Sequence, residues 1–133
     1  NKIQTKKGRQ LSNEKVFKTN ISSYEMLSKA LFKDDLITAK KVALLIAKDE
    51  ESNVVKFAAR KLAKSDDIKS ARSKFNKISK VFVAGAKGSK DYKIAYCPMA
   101  NRGKGGCWLQ KVSDKTVNNP YFGSAMPHCG VFK

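Results

Sequence analysis

Between Ser12 and Ala84 the apolar residues recur at three- and four-residue steps, and three short polar breaks cut the run. That period is the signature of amphipathic helices with one buried stripe each. The first stripe is Phe17, Ile21, Tyr24, Leu27 or Ala30, and Leu31, on a helix expected over residues 12–33, with Ser12 or Asn13 as cap. The second is Leu36, Ala39, Val42, Ala43 and Ile46, over 36–48. The third is Val54, Phe57, Ala58 and Leu62, over 54–64. The fourth is Ile68, Ala71, Phe75, Ile78 and Phe82, over 67–84, in heptad-like steps. The breaks Asp34-Asp35, Asp49–Asn53 and Ser65–Asp67 are built from capping residues, so each stops one helix and starts the next. Breaks this short place successive helices side by side and antiparallel. The expected fold is mainly α: an antiparallel up-down four-helix bundle over 12–88. Residues 1–11 are expected as a flexible lead-in. The aromatics Phe17, Tyr24, Phe57, Phe75 and Phe82 are expected in the core, because they lie on the predicted buried faces.

The pattern changes after Ser89. Tyr92, Ile94 and Tyr96 alternate with Lys93 and Ala95, and Cys107 to Gln110 forms a second short run beyond a glycine-rich turn. A small β-hairpin with Lys104 near its tip is expected there, within an extension over 89–133 that completes a single domain. The segment 96–130 holds all three cysteines, the only tryptophan, the only histidine, all three prolines and two of the three methionines. Trp108, Tyr121 and Phe122 are read as packing this extension onto the helices.

Sulfur ligands cluster at both ends of that segment. Cys97 and Met99 flank a proline, and i, i+2 residues of an extended strand point to one side. Met126, His128 and Cys129 form a second group. Thiolate, thioether and imidazole together suit a soft cation, Cu(I) or Ag(I), with zinc favoured only if Cys and His dominate. A Cys97–Cys129 disulfide is the other reading. It would staple the extension and leave the methionines as packing residues. Both readings require the two ends to converge, and spacing does not choose between them. Cys107, beside Trp108, is read as a buried free thiol.

Other chemistries lack their residues. Adjacent His128 and Cys129 do not align as base and nucleophile, and there is no second histidine. Residues 103–106 lack the spacing of a phosphate-binding loop. The chain is therefore read as non-enzymatic. Its net charge is +17, and 22 of the 28 bases but also 9 of the 11 acids fall in residues 1–90. All but four of the bases are lysine, which lacks the bidentate fork of arginine. A solvated lysine face that attracts anionic surfaces is the expectation. Nucleic acid is disfavoured, since no aromatic residues interleave with arginine on one face. No apolar run approaches the ~20 residues of a membrane span. The start at Asn1-Lys2-Ile3-Gln4, without methionine, is read as that of a processed chain.

The words Tyr96-Cys97-Pro98-Met99-Ala100, Trp108-Leu109, Asn119-Pro120-Tyr121-Phe122-Gly123, Met126 and Cys129-Gly130 together resemble a bacterial family. It is the helical domain of unknown function found alone in exported proteins and appended to membrane fusion proteins of Cus-type heavy-metal efflux systems. Asp34-Asp35-Leu36 and Ser65-Asp66-Asp67-Ile68 fit the starts of its helices. The resemblance implies a four-helix bundle with a C-terminal appendix, a periplasmic or envelope location with the signal segment removed, and a link to copper or silver handling beside efflux components. Cys97, Met99, Met126 and Cys129 fall on its motif positions. Cys107 and Pro127-His128 depart from its usual residues, so His128 as a ligand rests on local chemistry alone.

Overall fold

The computed structural model describes residues 5–133. The chain is mainly helical, with four α-helices and a three-stranded antiparallel sheet: α1 Lys6–Phe32, α2 Leu36–Ile46, α3 Asn53–Ala63, α4 Ile68–Gly85, β1 Tyr92–Cys97, β2 Gly106–Lys111 and β3 Val131–Phe132. Three helix starts follow the capping chemistry of the breaks. The side chains of Asp35, Ser52 and Asp67 accept the backbone N–H of Thr38 at 3.0 Å, Val55 at 3.2 Å and Ser70 at 2.7 Å. These bonds satisfy N–H groups that no helical carbonyl can reach.

The first helix starts earlier than Ser12. Thr5 caps it, accepting from the Gly8 N–H at 3.0 Å, and residues 6–11 of the expected lead-in are helical; residues 1–4 lie outside the described residues. The extra turns show no apolar stripe. Gln10 anchors them by donating to the Ala84 carbonyl of α4 at 2.8 Å.

α1 packs against α2 and α4, and α3 packs against α2 and α4. Their shared core contains Tyr24, Leu27, Leu31, Ile46, Leu62, Phe75, Ile78 and Phe82, with Tyr24 stacked between Phe75 and Phe82. One core assignment is corrected. Phe57 is 56% exposed, and Val54 is exposed beside it. The buried stripe of α3 is Val55, Ala58, Ala59 and Leu62, at i, i+3, i+4 and i+7. Its two alanines let α3 approach its neighbours closely, and that choice of face turns the larger Phe57 outward.

α1 and α4 also approach closely at Gly85, where an added Cβ would overlap the Asn13 carbonyl and the Phe17 Cβ. Backbone cannot move aside as a flexible side chain can. Gly85→Ala is expected to destabilise the fold by about 1–3 kcal/mol, the usual range for overpacking. Urea unfolding of the variant checks this; an unchanged midpoint would show that the helices can separate freely there.

The expected hairpin is present. β1 and β2 pair antiparallel, with Ala95 opposite Trp108 and Cys97 opposite Gly106, while β3 joins the other side of β1 in the order β2-β1-β3. The inward face of β1 is Ala95 and Cys97, both fully buried, rather than the larger Tyr92, Ile94 and Tyr96. Small residues in that register leave room for the buried Trp108 indole, whose N–H donates to Gln110 Oε1 at 2.8 Å.

β2 is an edge strand, and exposed edge groups invite unwanted pairing. Here the helices cover them. The Leu109 N–H donates to the Tyr24 hydroxyl at 2.9 Å, which donates to Ser79 Oγ at 2.7 Å, which donates to the Cys107 carbonyl at 2.8 Å. The Tyr121 hydroxyl donates to the same carbonyl at 2.8 Å. Burial pushes the Tyr24 and Tyr121 hydroxyls well above the usual phenol range, so this chain of neutral donors persists at any physiological pH.

Candidate functional site: a dithiol clasp in the C-terminal lobe

After β2 the chain runs through Asn118 to Gly130 and returns along β1. Asn119 fixes that return. It is fully buried, and its Oδ1 accepts the N–H groups of Tyr121 at 2.8 Å and Phe122 at 3.2 Å. Its Nδ2 donates to the Cys129 carbonyl at 2.8 Å, and its own N–H donates to the Pro127 carbonyl at 2.8 Å. One side chain thus ties the turn at 120–122 to the segment 127–129. Gln110 does similar work one layer away. Its Oε1 accepts from Trp108 and Asn118, and its Nε2 donates to Asp114 and Thr116. Gly130 then brings the chain down onto β1 at φ 132°, where an added Cβ would lie 2.8 Å from the Tyr96 carbonyl oxygen.

The result places the Cys129 sulfur 3.4 Å from that of Cys97, with both cysteines free. Cys97 is fully buried at the end of β1, and Cys129 is half-buried. The contact with Cys97 is the main reason that the Cys129 thiol is held above its ordinary range, with burial adding to it. The two ends of the cysteine-bearing segment therefore meet, as both sequence readings required.

The other expected donors differ in their surroundings. β1 ends at Cys97, and a turn follows, so Met99 does not share its side of a strand. Met99 is 55% exposed and lines a cleft to which neither cysteine contributes. Met126 is half-buried, and its carbonyl accepts the Cys129 N–H at 3.4 Å. His128 is exposed; its Nδ1 pairs with the Val117 carbonyl at 2.9 Å, so Nδ1 carries the proton and only Nε2 is left as an acceptor. Among the described residues no group of three or more His, Cys, Asp or Glu side chains gathers that could hold a metal ion. Two sulfurs 3.4 Å apart would also subtend only about 95° at an ion ~2.3 Å from each, tighter than the tetrahedral angle. Cys107 is half-buried on the opposite strand, and burial pushes its thiol up.

A second tie joins this lobe to the helices. Arg72 of α4 donates through Nε to the Pro120 carbonyl at 2.8 Å and through Nη2 to Asp34 Oδ1 at 2.7 Å and the Leu31 carbonyl. Asp34, expected as a cap alongside Asp35, instead bonds Arg72 and the N–H and hydroxyl of Ser124. The hydrogen bond from the Ser124 hydroxyl, then that from Arg72, holds the Asp34 carboxyl below the usual carboxylate range. A depressed folded-state pKa gives stability that is present above the unfolded value, about 4, and lost as pH falls through the folded one. Asp34→Asn is expected to lower the melting temperature at pH 7 and to lose less on acidification, so its curve converges with that of the unsubstituted protein below about pH 4. A parallel offset at every pH, followed by thermal unfolding, would show that the tie does not depend on the ionised carboxylate.

No family model, curated protein or solved structure matches the chain. The resemblance drawn from the C-terminal words therefore stands on those residues alone. The fold and site define a mainly helical protein with a small sheet and a facing cysteine pair. No helix among the described residues is long and apolar enough to cross a membrane.

Proposed function

We propose that the chain is a non-enzymatic interaction module of the cell envelope whose C-terminal lobe is latched by thiol–disulfide exchange between Cys97 and Cys129. The observation that carries this reading is the 3.4 Å approach of the two sulfurs within a lobe held by Asn119, Gln110 and Arg72. The helices form the platform. Their neighbour relations, α1 with α2, α2 with α3, α3 with α4 and α4 with α1, support the up-down bundle arrangement. The lysine excess on that platform suits an anionic surface or an acidic partner.

The latch closes by exchange with a protein or small-molecule disulfide. Cys129, the more accessible thiol, loses its proton and attacks one donor sulfur, and the other donor sulfur leaves as a thiolate. The Cys97 thiolate then attacks Cys129 in the mixed disulfide and releases the second donor thiolate. Two protons and two electrons pass to the donor, whose two sulfurs end as thiols. The raised Cys129 pKa keeps the thiolate scarce at neutral pH, so closure accelerates as pH rises.

Oxidised glutathione followed by alkylation and peptide mapping tests the reading. The expected product carries a Cys97–Cys129 link, lacks two hydrogens relative to the reduced protein, and is alkylated only at Cys107. Alkylation of all three cysteines, or a link through Cys107, would overturn it. Retention of one equivalent of Cu(I) by the reduced protein, lost in a Cys97→Ser, Cys129→Ser variant, would instead favour soft-metal handling linked to efflux.

A further inference from the structure

The β1–β2 connection departs from ordinary hairpin geometry. Asn101, Arg102 and Gly103 have φ of 55°, 59° and 82°, three left-handed residues in succession, two of which are not glycine. Side chains rarely adopt that conformation, and where they do the surrounding structure must hold them there. Here Asn101 Nδ2 donates to the Gly105 carbonyl at 3.0 Å, and the Gly105 N–H donates to the Ala100 carbonyl at 2.9 Å. The turn carries Arg102 and Lys104 to the rim of a cleft of about 690 Å³ that it shares with α4.

One sign of charge dominates that cleft. Arg102 and Lys104 reach it from the turn and Lys69 from α4, all three exposed, and no carboxylate lines it. Arg72 is also in the wall, but its guanidinium is engaged with Asp34 and two carbonyls. Asn76 adds a polar amide to the wall, 3.3 Å from the Tyr121 hydroxyl. Met99 and Phe122 supply apolar wall. A volume of this size suits a small molecule, and a few polar groups on an apolar surface are the usual make-up of such sites.

We infer that this cleft binds a small organic phosphate, a monoester whose dianionic head lies among Lys69, Arg102 and Lys104 and whose apolar body rests on Met99 and Phe122. Three uncompensated cations match a head that carries close to two negative charges at neutral pH better than a single carboxylate. The thioether and the ring favour a flat, polarisable body. Neither cysteine of the pair lines this site.

Titration with phenyl phosphate, followed through backbone amide resonances, tests the inference. Saturable shifts are expected at millimolar probe, confined to residues 99–104, the first half of α4 and Phe122. Replacing Lys69, Arg102 and Lys104 together by glutamine should weaken binding about tenfold or more while leaving the helix resonances in place, since each charged hydrogen bond contributes substantially and all three side chains are exposed. Inorganic phosphate and benzoate should both bind more weakly than phenyl phosphate. Shifts spread over the lysines of α1–α3 and unchanged in the triple variant would overturn the site. So would the absence of shifts at millimolar probe. Equal binding of inorganic phosphate would remove the role of the apolar wall, and equal binding of benzoate would remove the preference for a dianion.

Discussion

Replacing Asn119 with alanine is expected to destabilise the protein by about 3 kcal/mol or more and to slow closure of the cysteine pair. The side chain is fully buried and makes three hydrogen bonds, accepting from Tyr121 and Phe122 and donating to Cys129. Alanine has no group to replace them. The Tyr121 N–H lies in a buried residue, and each polar group left without a partner costs about 1–3 kcal/mol. The backbone bond from the Asn119 N–H to Pro127 survives the substitution, so the loss falls on the 120–122 turn and the Cys129 carbonyl. Urea unfolding gives the stability. The rate of Cys97–Cys129 linkage by oxidised glutathione gives the effect on the clasp. Asn119→Asp separates the two roles: it keeps an acceptor for the turn and loses the donor to Cys129. Its linkage rate should fall with that of alanine while its turn is better preserved. A loss below about 1 kcal/mol in the alanine variant would show that Asn119 is not what positions Cys129.

That residue shows where sequence and structure part. The turn at 120–122 follows it directly, but nothing in the sequence pattern tells a solvated asparagine from a buried one. Only the returning Cys129 carbonyl makes it a tie, and that contact spans ten residues. The helices were legible because their signals are local. Apolar period and capping side chains act within one or two turns, and Asp35, Ser52 and Asp67 cap where the breaks indicated. The failures share the opposite cause. The start of α1 at Lys6 has no stripe and rests on Thr5 and on the distant Ala84 carbonyl. Phe57 lost its core position to alanines whose value lies in letting a neighbouring helix approach. β3 is two residues long, too short for alternation to register. At the site, convergence of Cys97 with Cys129 was legible because both sulfur readings demanded it. The position of Met99 was not, because it depends on where β1 ends.

Closing the Cys97–Cys129 disulfide is expected to stabilise the chain by ~3–4 kcal/mol, since it closes a loop of about 30 residues in the unfolded state. Little native rearrangement stands against that gain. The sulfurs already touch, and the backbone that carries them is fixed by the Ala95–Phe132 and Tyr96–Val131 pairings on one side and by Asn119 on the other. Unfolding in urea should therefore show a higher midpoint for oxidised than for reduced protein. A Cys107→Ser variant should keep the difference and a Cys129→Ser variant should lose it, while the reduced forms remain close to one another. A further comparison ties the latch to the lobe rather than to the helices. In amide exchange, oxidation should protect residues 118–132 more than α2 and α3, which lie outside the closed loop. A stability gain near zero would mean that the bond strains the lobe by about as much as it restricts the unfolded chain. In that case the pair would be an easily reduced switch, and the latch would open in mildly reducing surroundings rather than hold the domain closed.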